Sequence, residues 1–137
     1  MIKITARVVY NRLPQIRASL RPKISRVVKE TAFLIETEAK ESMQGPKSGR
    51  SYLRSGGKEH QASAPGEAPA IDYGMLVNSI QTEMISDVQA VVFTNTEYAA
   101  GLELGTVHIR PRPFFGAAAM AQKAAFIAKI KATLMEL

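Results

Sequence analysis

The sequence predicts a small α+β domain. A small antiparallel or mixed β-sheet is packed by a long N-terminal helix and a C-terminal helix, with a long protruding loop or hairpin at the centre. Three observations predict it. Apolar residues recur at helical spacing from Ile16 to Ala39, and an Ala-rich run closes the chain. Two β-rich runs, "QTEMI" and "VQAVVFTN", stand back to back. Between helix and strands, 12 of the 27 residues 44–70 are Gly, Pro or Ser, so no ordinary core element lives there.

The elements follow in order. "IKITARVVY" is rich in Ile, Val and Thr and predicts a strand over residues 2–10. The first helix places Ile16, Leu20, Ile24, Val27, Thr31, Leu34 and Ala39 on one stripe, widened by Val28, Ala32 and Ile35. Pro14 suits a first helical turn, whereas Pro22 lacks an N–H and predicts a kink or restart. Residues 22–43 should then run unbroken for ~33 Å. "SYLRSGGKEHQ" has two extended arms around a glycine turn and reads as a protruding hairpin, made basic by Lys47, Arg50, Arg54 and Lys58.

"DYGMLVNSI" predicts a short helix, with Asp72 as its cap and Met75, Leu76, Val77 and Ile80 as its apolar face. The sheet is expected over residues 80–86 and 88–95, turning at Ser86 and Asp87. Val88, Val91, Val92 and Phe93 suggest burial on both faces of its second strand. "EYAAGLELGT" is a helical turn ending at Gly105, and "HIRPRPFF" is held extended by Pro111 and Pro113. In the closing helix Met120, Ala124, Ile127 and Leu134 line one face. The expected core includes Ile24, Val27, Leu34, Ile80, Val92, Phe93, Phe126 and Ile130.

The 137 residues suit one domain, 1–137. No apolar run approaches the ~18 residues of a membrane span, and the N-terminus lacks the pattern of a signal peptide. Cysteine is absent, which excludes disulfides, thiolate metal sites and cysteine nucleophiles and agrees with folding in a reducing cytoplasm. The net charge of +6 is unevenly placed. Residues 1–30 hold eight Lys/Arg and one Glu, and residues 31–109 hold five against ten Asp/Glu. An even basic field would suggest nucleic acid, whereas such a split suits solvated helix faces or a protein that stacks on copies of itself or on other rings.

Signals for chemistry are weak. His60 and His108 have no partner at metal-ligand spacing and read as ordinary surface histidines. Phosphate-binding glycine loops and a nucleophile elbow are missing. Glu97 and Glu103 are the one spaced acidic pair in a compact segment, and solvation explains them better than acid–base work. Tyr10 and Tyr52 stand among basic residues and could stack on bases, yet no nucleic-acid-binding motif accompanies them. No enzyme, cofactor or metal is expected.

Four blocks in order carry a resemblance. They are "SAPGEAPA" (63–70), "YGMLVNSI" (73–80), "YAAGLELGT" (98–106) and "RPF" (112–114). The chain resembles, over roughly residues 15–135, the tail-completion (head–tail joining, minor tail or neck) proteins of lambdoid HK-type long-tailed bacteriophages. That family shows a stretch like "SAPGEPPA", a "TG-x-L-x-x-SI" helix, a "YA-x-x-x-E-x-GT" turn and "RPF". This chain departs from it at Tyr73, where Thr is usual, and in its Pro22.

The resemblance implies a structural virion protein of the phage neck, assembled in the host cytoplasm. It implies a homo-oligomeric ring of six subunits at the head-proximal end of the tail. Its partners would be the tail tube protein and a head–tail connector, adaptor or stopper protein, with DNA passing through the lumen and no membrane. The expected interface residues are Lys47, Arg50, Tyr52, Arg54 and Lys58 of the hairpin, Pro65, Gly66, Glu67 and Pro69 of the stiff segment, and two charged surfaces. Arg17, Arg21 and Arg26 form the basic one, Glu97 and Glu103 the acidic one. Segment 44–70 is expected to contribute little to the subunit's own core. The alternative is a small basic nucleic-acid-binding protein.

Overall fold

A computed structural model of the chain describes residues 5–7 and 10–137. It is a small α+β fold. The element order is α1 (Leu13–Gln44), β1 (Ser51–Leu53), β2 (Glu59–Gln61), α2 (Met75–Ser79), β3 (Gln81–Ser86), β4 (Gln89–Phe93), α3 (Ala99–Leu104) and α4 (Phe115–Met135).

The long helix α1 is the platform. Residues β-branched or apolar at three- and four-residue steps give it one continuous face, and β3, β4 and α4 all lie on that face. Pro22 sits inside α1 and does not end it. Its missing N–H frees only the Ala18 carbonyl, and both residues are exposed, so water satisfies that oxygen. At ~1.5 Å per residue, 32 residues span ~48 Å.

α4 returns antiparallel along α1. Lys23 Nζ meets Glu136 Oε2 at 2.7 Å, Lys129 Nζ meets Glu30 Oε2 at 3.7 Å, and Gln122 Nε2 reaches Glu38 Oε2 at 3.5 Å. The end of α4 therefore lies beside Lys23, and the first turns of α1 project beyond it. The stripe that α4 turns inward is Ala118, Gln122, Phe126, Ile130 and Thr133. The expected stripe of Met120, Ala124, Ile127 and Leu134 faces outward instead. In an Ala-rich helix two stripes have helical spacing, and periodicity alone does not choose between them.

There are two separate two-stranded sheets among the described residues rather than one. β3 and β4 pair antiparallel, Gln81 with Phe93 through Met84 with Ala90, and a bulge falls before Ser86. Thr82, Met84, Ala90 and Val92 are half-buried on the α1 side. The opposite face is more open: Phe93 is exposed and Val91 half-buried, and Val88 in the β3–β4 turn is exposed, against the expectation of burial on both faces. Of the strand expected over residues 2–10, residues 5–7 and 10 carry no strand, and the others lie outside the described residues.

The core sits at the C-terminal end of α1. Ala39 and Met43 meet Leu76 and Ile80 of the α2 region, Ala99 of α3, and Phe114 and Ala118 at the start of α4. Phe114 and Ile80 are the largest fully buried side chains. Of the expected core, Val27 and Ile80 are buried, and Ile24, Val92, Phe126 and Ile130 are half-buried. Leu34 and Phe93 are exposed.

Candidate assembly surface

The basic hairpin forms as expected. β1 pairs with β2, Ser51 with Gln61, Tyr52 with His60 and Leu53 with Glu59, closed by Gly57 N donating to Arg54 O at 3.0 Å. It is not a free arm, however. His60 is buried, against the surface role expected for it. Arg54 Nη2 stands 2.5 Å from His60 Nδ1, and Tyr52 meets the His60 ring edge-on at 5.3 Å. Arg54 Nε lies 2.5 Å from Asp72 Oδ1, yet its N–H is not aimed along that line, so the contact is an ion pair rather than a hydrogen bond. The same guanidinium lies 5.2 Å from the Tyr73 ring centroid. One arginine thus pins the hairpin to the lead-in of α2. Asp72 is spent on that pin and does not cap α2, whose N-cap is Gly74.

The segment before and after the hairpin is also tied down. Gly49 lies so close to the facing chain that a Cβ there would meet Ser63 O at 2.6 Å. Ser63, fully buried, accepts from Arg112 Nη1 at 3.1 Å. Gly66 N donates to Pro111 O at 3.0 Å, and Pro69 is buried. Hydrogen bonds therefore tie residues 44–70 to the subunit's body, while only the half-buried Ala68 among them packs on the hydrophobic core, in line with the expectation that the segment contributes little to it. Arg50, Lys58 and Pro65 remain exposed.

Glu67 organises this segment. Its carboxylate accepts from Ala64 N at 2.8 Å, from Ser48 N at 3.1 Å and from the Ser48 hydroxyl. These bonds, the Ser48 hydroxyl first, hold its pKa down from 4.5 to about 2. Beside it, Lys47 donates to Ser42 O at 2.8 Å, and burial pulls its pKa down while Glu67 raises it. A carboxyl with a depressed folded-state pKa lends its stability above its unfolded value, and that stability is lost as pH falls toward the folded value. The Glu67 carboxyl should therefore titrate with a midpoint near 2 when followed by NMR. Amide exchange at Ser48 and Ala64 should rise relative to other amides only below pH ~4. A midpoint near 4.5 would mean that these bonds are not made.

The acidic pair separates into two roles. Glu97 is exposed. Glu103 reaches from α3 to the start of α4, where Oε2 accepts from Phe114 N at 2.8 Å and Phe115 N at 3.1 Å, and Oε1 from Gly116 N at 2.7 Å. A carboxylate on three unpaired N–H groups at the positive end of a helix is a cap supplied from another element. Glu103 serves the fold and is not a free acidic surface residue.

Arg17 and Arg21 lie at the projecting end of α1 and line the clefts there, and Arg26 lies further along the helix. Arg17 and Arg26 are exposed, and Arg21 Nε is paired with Asp87 Oδ2 at 2.9 Å across the β3–β4 turn. Two clefts flank them. One, of about 820 Å³, runs past Asn11, Pro14, Arg17 and Asp87. The other, of about 470 Å³, is lined by Leu13, Ile16, Leu20, Ile24 and Val88. At the other end of the molecule Leu104 and Val107 are 76% and 94% exposed, and Tyr98 is half-exposed.

No cluster of His, Asp and Glu fit to hold a metal ion occurs among the described residues. No helix among them is long and apolar enough to cross a membrane. The sequence reading missed Asp72, Ser63 and Arg112 as partners. His60 had a signal, because strand alternation places it on the face opposite the exposed Glu59 and Gln61. Comparison with protein-family models, with curated proteins and with solved structures finds no match.

Proposed function

We propose that the chain is a structural protein of a phage neck. Six copies form a ring that completes the tail and joins it to the head connector, with DNA passing through the lumen.

The observation that carries this reading is surplus surface. The subunit exposes 10071 Å² at 15.0 kDa, whereas a compact monomer of that mass exposes ~7,000 Å². Crediting residues 1–12 with the full area of an unfolded chain still leaves a surplus on the order of 1,500 Å². A subunit in a ring covers one patch against each of two neighbours, at ~800 Å² per patch for a standard interface. The surplus is of that size, and it is apolar: Leu13, Phe33, Leu34, Ile85, Leu104, Val107 and Met120 are all exposed.

The four blocks behind the resemblance also act as one unit. Ser63 of the first binds Arg112 of the fourth. Leu76 and Ile80 of the second, Ala99 of the third and Phe114 of the fourth share one core. This supports treating their order as a single signature rather than four coincidences.

Electron microscopy of the purified protein should show rings with a central opening, and rings mixed with tail tubes should cap one end of the tube. Binding of duplex DNA by a monomer, with affinity that differs between unrelated sequences, would favour the nucleic-acid reading instead. Salt dependence alone would not separate them, because any basic surface gives it.

A further inference from the structure

We infer that the β1–β2 hairpin is held by a proton-sensitive latch: His60 keeps it on the body while the imidazole is neutral, and a second proton on that ring releases it. The inference concerns one subunit and does not rest on the ring reading.

The latch follows from which groups can donate. A guanidinium carries five N–H donors, no acceptor and a permanent charge. Arg54 Nη2 stands 2.5 Å from His60 Nδ1, so Arg54 donates and Nδ1 accepts. Nδ1 therefore bears no proton, and the ring's one N–H is at Nε2. A second proton has only Nδ1 to occupy. There it would set an N–H and a positive charge against the guanidinium at contact distance.

His60 has little room to turn away. It is 9% exposed, and Tyr52 of β1 meets its ring edge-on at 5.3 Å. Lys47 lines the same cavity of about 350 Å³ as His60, together with Met43 and Gln44 from the end of α1. The C-terminal end of a helix favours a cation, but Lys47 Nζ already serves it on Ser42 O at 2.8 Å. Glu67 lies beyond Lys47 and is committed to the N–H groups of Ser48 and Ala64. Glu59 is exposed on the opposite face of β2. Asp72 is the acid that faces the ring, with Oδ1 4.0 Å from Nδ1.

Asp72 gives the latch its second state. Its Oδ1 is already 2.5 Å from Arg54 Nε. With a neutral ring, Arg54 bridges His60 and Asp72 and joins the hairpin to the lead-in of α2. With a charged ring, His60 and Arg54 repel each other and compete for one carboxylate. Arg54 is the side chain with a way out, since it is 19% exposed. Its departure also ends the contact with the Tyr73 ring. β1 and β2 have three residues each, and so short a hairpin is marginal by itself. It should fray back to the bond from Gly49 N to Ala62 O at 3.0 Å, which involves no titrating group. Release turns a pinned hairpin into a basic arm carrying Arg54 and Lys58. The closed hairpin has no place for the second proton and the open one has, so acid opens it.

Imidazole NMR and hydrogen exchange on the unmodified chain test this. At pH 8 the His60 ring should be the Nε2–H tautomer. From about pH 8 to pH 5, the range in which histidine changes charge, the Arg54 and Gly57 amides should lose about tenfold in protection. Those amides donate to Lys58 O and Arg54 O in the closed hairpin. The loss should follow the His60 ring and not His108, and amides of α1 and α4 should keep their protection. His60→Gln supplies an acceptor oxygen that does not titrate, so its hairpin should be equally protected at both ends of the range. His108→Gln should leave the loss in place. An Nδ1–H tautomer at pH 8, protection that stays constant in the unmodified chain, or a loss that follows His108 overturns the latch. A loss that persists in His60→Gln overturns it as well. If the His60→Gln hairpin is already open at pH 8, the tautomer and the matched titration in the unmodified chain decide.

Discussion

Phe114→Ala should lower stability by about 3–5 kcal/mol, the cost of removing a large aromatic from a closed site. Phe114 has no exposed surface and sits where α1, α2, α3 and α4 meet, with its ring 4.5 Å from that of Phe115. The truncation leaves a cavity that four elements must share, and the short α2 and α3 have little else to hold them. A domain of this size has roughly 5–15 kcal/mol in total, so the variant should sit at the edge of folding. The check is a denaturant titration in which the midpoint falls and the slope stays constant. Phe93→Ala is the contrast. The sequence makes it a core residue too, but it lies on the open face of β4 and is 37% exposed. Its loss should cost well under half as much. Equal effects would place the core elsewhere.

Glu103→Ala should cost about 2–3 kcal/mol, more than an ordinary cap, because three charge-assisted bonds are lost at once. The N–H groups of Phe114, Phe115 and Gly116 would lose their acceptor beside a buried ring. Amide exchange at those three positions should accelerate, and the thermal midpoint should drop by several degrees. Glu103→Gln keeps one carbonyl acceptor without the charge and should fall between. Glu97→Ala changes an exposed residue and should leave stability within about 0.5 kcal/mol. If Glu97→Ala and Glu103→Ala behave alike, the capping role is wrong.

These two residues show what was legible in the sequence and what was not. Helical spacing from Ile16 to Ala39 announces α1, and the β-rich runs announce β3 and β4, because local patterns carry those signals. The "YAAGLELGT" turn was legible as a turn ending at Gly105. That its glutamate caps the helix starting at Phe115 was not, because the contact depends on how α3 and α4 meet. The same holds for Asp72: a short polar side chain just ahead of the apolar run that begins at Met75 reads as a cap, but Arg54 from a distant hairpin claims it. The stripe of α4 was misplaced for a related reason. With so many alanines the apolar spacing is degenerate, and the rotation of α4 is set from outside by Glu103 and Phe114. Pro22 predicts a kink or restart, yet a proline on the solvent side of a long helix leaves only a carbonyl that water can satisfy.

The candidate surface was legible in part. The basic hairpin exists where the glycine turn places it, but it is pinned to the body by Arg54 and His60 rather than held out as an arm. Arg17 and Arg26 are exposed as expected, while Arg21 is paired to Asp87 and Glu103 and Glu67 are committed to backbone N–H groups. The apolar loop at Val107 gave no sequence signal, since a lone valine between Thr and His is unremarkable until its exposure is seen.

The ring is the central claim, and native mass spectrometry over a hundredfold range of concentration tests it most directly. The account predicts one closed species of six subunits in equilibrium with monomer, with no open ladder of intermediate sizes. A monomer at every concentration, or a dimer that never grows, would contradict it.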